Sequence, residues 1–348
     1  VREQMIQKLA TSMISARLNE ITQKPNPPFV FAASDMGNMV RTKSALMFYA
    51  ALRNDAMVDC IKGLVREAER VKQFGFTATE FDRAKSDYMR GLENELKEKD
   101  KQKNQKYVWE AINNFLEGEP MPGIEFEFML ANGLVPTITL EEINAYIASM
   151  VSDKNVALTL MAPKKDDIKL PTEEAILAAV KEVKSETLQA YVDNVVMKPL
   201  LESIPNPGKI KKVNDKNIFG TTELTLSNGV KVILKPTDFK EDEIKLDAFS
   251  KGGLSLADIT VLPSATLATD MISNAGVGEF SSIDLEKLLA GKMVRVNPVF
   301  GKDFEGLQGS ASPKDFETTL QLVYLYMTAP RQDQENFNTY LDRLKAFF

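Results

Sequence analysis

The sequence predicts an α+β protein in which antiparallel-rich sheets are backed by helices and a Pro/Lys linker joins two domains. Three observations carry this. Apolar residues recur at helical spacing through the first half, an Asn-Gly dipeptide sits between alternating strands in the second, and a proline-, glycine- and lysine-rich segment separates the two textures. The 348 residues also exceed the ~250–300 at which a single hydrophobic core stops growing. The expected division is a domain over 1–196, a linker over 197–219 and a second domain over 220–348.

Taken in order, Val1 to Ile21 sets Met5, Leu9, Met13, Ala16 and Leu18 at near-helical spacing. Pro25-Asn26-Pro27-Pro28 stops that helix, because proline lacks the amide donor and clashes with the preceding turn. Phe29 to Ala33 reads as a strand, and Ser44 to Arg53 as another, apolar enough for burial on both faces. Phe29, Phe31, Phe48 and Tyr49 are expected in the core rather than on an aromatic platform. Asp55 to Gln73 reads as a helix ended by Gly75, and Cys60 within it as a small buried hydrophobe rather than a nucleophile. Thr77-Ala78-Thr79-Glu80 is a capping box, in which hydroxyl and carboxylate each satisfy an orphan amide. It opens a helix from about Thr79 to beyond Lys97, and the two-signed charge of Glu93 to Lys106 reads as a solvated face. Another helix carries Trp109, Ile112 and Phe115 before Gly118 and Pro120, and others run from Thr139 through Met150 and from Thr172 to Leu188. Asn155 to Met161 alternates as a strand.

The linker holds Pro199, Pro205, Pro207, Gly208 and lysines 209, 211 and 212. Beyond it, Leu224 and Leu226, then Asn228-Gly229, then Val230, Val232 and Leu234 predict a hairpin. A strand over Glu243 to Ser250 ends at Gly252-Gly253. Helices are expected at about Ser264–Asn274 and Ser282–Ala290, strands at Met293–Phe300 and Glu305–Ala311, and helices at Pro313–Met327 and Asp333–Phe348.

Composition excludes several functions. The chain has no histidine, which removes Ser-His-Asp and Cys-His mechanisms and every histidine-based zinc site. No CxxC, P-loop or GxGxxG pattern replaces them. Glycines 252, 253, 276 and 278 read as turns and helix stops, since no P-loop lysine follows. A net charge of −6 with lysines interleaved among glutamates argues against nucleic acid as a partner. No apolar run approaches the ~20 residues of a membrane span. A carboxylate-based hydrolase needs two acids at a fixed separation, and the charge-dense helices favour no pair. Val1-Arg2-Glu3-Gln4-Met5 opens a helix, not a signal peptide, and the chain is expected to begin mid-protein.

Two stretches carry a resemblance. Leu224 to Gly253, LTLSNGVKVILKPTDFKEDEIKLDAFSKGG, is similar to the opening strands of a domain of the pitrilysin/insulysin family of zinc metallopeptidases. Ser282 to Ser310 resembles the segment where such a domain runs helix and two strands, before a helix that starts near Pro313. In the first half, SARLNEITQKPNPPF and VREAERVKQFGFTATEFDRAK resemble the second domain of the family's catalytic half, without its opening strands.

An active member carries an H-x-x-E-H helix, whose i and i+4 histidines share one face and reach one metal. The resemblance lays that helix on Thr266, Thr269 and Asp270, and Thr-x-x-Thr-Asp cannot hold zinc in this mode. The third ligand, a downstream glutamate, would fall among Arg343, Leu344, Lys345 and Ala346, which offer none. The degenerate face is expected to look into a chamber or against the catalytic half, with Leu267 and Met271 packed inward.

The resemblance therefore implies a non-catalytic fragment, the end of the catalytic half plus the start of the inactive one. The parent would be a zinc-dependent metallopeptidase degrading peptides or unfolded proteins in an enclosed chamber. This part would be wall and scaffold, with no cofactor of its own and zinc in the full-length parent. An inactive homologue acting as a structural or peptide-binding protein is the alternative, and any peptide would add as a strand to a sheet edge. Bacterial relatives make the periplasm or cell envelope the expected compartment.

Overall fold

The computed structural model describes residues 1–40, 42–52, 56–165, 168–215 and 218–347. Helix α1 (Arg2–Thr22) buries Met5, Leu9, Met13 and Leu18 along one stripe, with Ile6, Ala10 and Ile14 widening it. After the prolines, β1 (Phe29–Val40) and β2 (Lys43–Leu52) form an antiparallel ribbon against α1. Helix α2 (Met57–Phe74) ends at Gly75, whose φ of 67° suits a residue without Cβ. Thr77 and Glu80 form the capping box at the start of α3 (Ala78–Lys97). Helices α4 (Asn104–Glu117), α5 (Ile124–Leu134), α6 (Leu140–Met150) and α7 (Glu173–Ser185) follow, with Thr139 and Thr172 capping the last two. One core gathers α1, β1, α2, α3, α5 and α6 around Leu9, Ile14, Leu18, Phe29, Val71, Phe81, Ile143 and Ile147.

The rest is built on two three-stranded antiparallel sheets. Strands β3 (Ile210–Asn214), β4 (Thr222–Leu226) and β5 (Lys231–Leu234) pair in that order. Gly229, at φ 91°, closes the hairpin between the last two. The second sheet comprises β6 (Ile244–Lys251), β7 (Val294–Phe300) and β8 (Phe304–Ala311), with β8 in the middle. Helices α8 (Leu262–Ala275) and α9 (Ser282–Leu288) lie between β6 and β7, and α10 (Phe316–Thr328) and α11 (Gln334–Phe347) close the chain. Gly276 lets α8 turn into α9: its φ is 88°, and a Cβ there would lie 2.2 Å from the Phe280 carbonyl. A second core forms around Val277, Phe280, Leu285, Val296, Leu307, Leu322 and Leu325, with Val196, Leu200 and Leu201 packed against it.

The α+β class and the antiparallel sheets are as the sequence predicts, four local expectations fail, and one helix is unexpected. Residues 155–161 form no strand, and Val156, Leu158 and Met161 are exposed, because no neighbouring strand offers them a ladder. Strand β2 is not buried on both faces, since a two-stranded ribbon is covered on one side only. Phe29 is fully buried and Phe48 packs on the core, but Phe31 and Tyr49 are exposed and face each other with centroids 6.1 Å apart. Helix α5 has no counterpart among the sequence expectations, its glutamates and phenylalanines alternating too closely for a helical stripe. Residues 210–214 of the expected linker are strand β3. The ends of three predicted elements, at Arg53, Asp55 and Phe348, lie outside the described residues.

Candidate functional site

Pro263 in the first turn of α8 fixes the helix start, and the three positions singled out by sequence lie on the turns that follow. Thr266 is exposed and its hydroxyl donates to the Pro263 carbonyl at 2.7 Å. Thr269 is half-buried, and its carbonyl accepts from Ser273 at 2.8 Å. Asp270 Oδ2 accepts from the Tyr340 hydroxyl of α11 at 3.0 Å. One turn on, Arg343 of α11 donates to Asn274 Oδ1 at 2.9 Å. Burial raises the Tyr340 phenol, and its bond to Asp270 raises it further, so the proton stays on tyrosine. Leu267 and Met271 are half-buried.

This geometry does not fit zinc. Threonine hydroxyls are not among its protein ligands, and Asp270 is engaged by a phenol. Among the described residues, no group of three or more Cys, Asp or Glu side chains could hold a metal ion. Residues 343–345 are at the C-terminal end of α11 and bring no carboxylate; the side chain of Ala346 lies outside the described residues.

A larger feature lies elsewhere, in the seam between the two cores. A cavity of about 360 Å³ is enclosed by α1, α3, Tyr191 and α9, and no α8 residue lines it. On its α1 wall, buried Arg17 donates from Nε and Nη2 to Glu80 at 2.6 and 2.9 Å, and from Nη1 to Glu67 at 3.3 Å. Its third partner is the Gly75 carbonyl at 2.9 Å, and the guanidinium lies 4.4 Å from the Tyr191 ring centroid. Tyr191 donates to Glu20, and Lys287 of α9 reaches the Tyr191 oxygen at 3.1 Å, Glu20 at 3.2 Å and Asp193 at 3.0 Å. Asp193 also meets Arg83 at 2.9 Å and accepts from Thr79.

These contacts fix protonation states. Burial opposes the charge on Lys287, but Asp193, Tyr191 and Glu20 outweigh it and raise the ammonium. Burial and the bond to Glu20 raise the Tyr191 phenol. Neither group serves as a base at neutral pH, and the Cys60 thiol, pushed up to about 12 by burial, is no nucleophile. Glu286, held by Asn19 at 3.0 Å, is raised by burial and by the nearby charges of Asp87 and Glu20. The seam is thus a clasp of ion pairs and hydrogen bonds joining α1, α3 and α9.

The far end of α3 repeats the device. Arg90 donates to Asp242 at 2.9 Å, Lys97 reaches the same carboxylate at 3.1 Å, and Glu98 accepts from the amides of Glu241 and Asp242. The Lys314 hydrogen bond holds Glu93 down at about 2. Sequence reasoning missed these pairings and Tyr340, since partners about fifty or more positions apart leave no local pattern.

No family model matches the chain. It is 24% identical over 96% of its length to a protein named zinc protease PQQL-like of Arabidopsis thaliana, and 27% identical over 80% to the probable zinc protease PqqL of Escherichia coli. It spans 30% of the length of each. Among solved structures, a mutant of the ferredoxin protease FusC, in complex with Arabidopsis ferredoxin, matches 99% of the chain with a TM-score of 0.55. At 19% identity over 38% of that protein, the likeness shows the fold.

Proposed function

We propose, from the premise that this chain is related to pitrilysin-family zinc proteases over nearly its whole length, that it is a non-catalytic part of a zinc-dependent metallopeptidase. In this reading it forms wall and scaffold of a chamber in which peptides or unfolded proteins are cut. Residues 1–196 end the catalytic half, 197–209 link, and 210–348, with β3 paired to β4, begin the inactive half. The observation that carries the reading is α8: the positions matched to the zinc motif hold Thr266, Thr269 and a phenol-bonded Asp270. The chemistry then belongs to a histidine-bearing domain elsewhere in the parent, where zinc would be held. No described helix is long and apolar enough to cross a membrane. The E. coli relative is described as periplasmic, and the same compartment is proposed for the parent.

The test compares the parent with this chain. The parent should retain zinc through dialysis and cleave unfolded substrate, and the chain alone should do neither. A parent without zinc or cleavage would replace the reading with an inactive, structural or peptide-binding homologue. One zinc retained by the isolated chain would overturn it.

A further inference from the structure

Helix α4 has an amphipathic sequence, yet none of its residues is buried. Isolated helices shorter than ~12–15 residues are marginal in water, and helices in proteins gain most of their stability by packing an apolar face. Here Val108, Trp109, Ile112 and Phe115 face solvent, Phe115 at 84% exposure. Val108, Ile112 and Phe115 stand at i, i+4 and i+7, on one face of the helix, and Met121 of the connecting loop and Phe126 of α5 are exposed as well. Ordinary surfaces expose single apolar side chains, and an apolar helix face left open marks an interaction site.

The charge around it identifies the occupant. From Tyr107 to Asp153 the sequence contains no lysine or arginine, while Glu110, Glu117, Glu119, Glu125 and Glu127 punctuate the two helices. Lys99 pairs with Glu125, Lys106 on the first turn of α4 bonds Glu95 and lends charge to Glu110, and among the described residues no cation forms a salt bridge with Glu117 or Glu119. A second copy docking on the same face would bring these glutamates against one another. A segment with apolar residues on one side and lysines or arginines on the other would satisfy both features.

We propose that the α4–α5 segment is a docking surface for a cationic amphipathic peptide segment. The assignment rests on the peptide-chamber reading only for where that segment comes from, an unfolded substrate. Its binding needs neither metal nor turnover.

Trp109 is the only tryptophan, so the surface reports on itself. The full 348-residue chain is titrated with a helix-forming leucine–lysine peptide lacking tryptophan and tyrosine, and with a leucine–glutamate peptide as control. The expected result is a saturable blue shift of Trp109 emission with the lysine peptide, weakened by salt, and none with the glutamate peptide. The triple variant E110K/E117K/E119K should lose about tenfold in affinity with its melting temperature unchanged, a shift of about 1.4 kcal/mol. I112A/F115A, at exposed positions, should lose binding outright. Equal binding of both peptides, a blue shift that grows with protein concentration alone, or no shift would each overturn the proposal. An inactive parent whose α4–α5 surface still bound the lysine peptide would sink the chamber reading and leave this one standing.

Discussion

The first core and the second are built on different scales. Around α1 the core contains nineteen buried apolar residues, whereas the sheet of β6, β8 and β7 gathers seven. The second core recruits Val196, Leu200 and Leu201 from the segment before it, and ion pairs of α3 with Asp193 and Asp242 tie the later chain to the first region. Buried charge costs desolvation that only close partners repay. The first region is therefore organised to hold itself, and the second to depend on its neighbours.

The largest test removes a charge from the first region. Arg17→Ala leaves Glu80 buried without its cation and Glu67 with Arg70 alone, and should cost about 3–5 kcal/mol. Urea unfolding measures it, and a loss below about 1 kcal/mol would mean that water replaces the guanidinium. Next, Leu18→Ala and Leu307→Ala, one in each core, should each cost about 3 kcal/mol. If the cores are independent units, unfolding followed by hydrogen exchange shows each substitution lowering protection in its own region. Uniform loss for both would merge them into one cooperative unit.

A smaller contrast uses the two capping boxes, Thr77 with Glu80 on α3 and Ser281 with Asp284 on α9. Replacing either hydroxyl residue by alanine should cost about 1 kcal/mol. Because Glu80 also holds Arg17, the Thr77→Ala loss should be the greater, read from thermal melts.

The smallest effects concern pH. Burial favours the neutral form of Asp193, but hydrogen bonds from Arg83, Thr79 and Lys287 outweigh it and lower its folded value. Its contribution is present above the unfolded value of about 3.9 and is lost as pH falls through the folded value. Glu286 is shifted the other way, so its contribution is present below its unfolded value and lost as pH rises through the folded one. Glu286→Gln should therefore raise the melting temperature slightly at pH 7 and leave it unchanged in acid. Asp193→Asn should lower it at pH 7 and flatten the acid limb. An unchanged pH profile in both would show that the seam does not couple the regions.

The sequence by itself determined the features whose causes are local. The α1 stripe, the box at Thr77, the Asn228-Gly229 turn and the stop at Gly75 each act within about four residues, and each stands where it was read, except that Ala16 of the stripe is exposed. The absence of histidine likewise fixed which chemistry the chain lacks. Tertiary structure decided whatever needed a partner far along the chain. The alternating residues 155–161 found no ladder, while Ile210–Asn214, amid linker composition, found β4. Glu80 was legible as a cap, but that it also binds Arg17 was not. Asp270 was singled out by the resemblance, but that Tyr340 meets it was not legible. A hydrogen-bond ladder or an ion pair forms only when folding delivers the second half of it, and nothing in either residue's own neighbourhood says which second half will arrive.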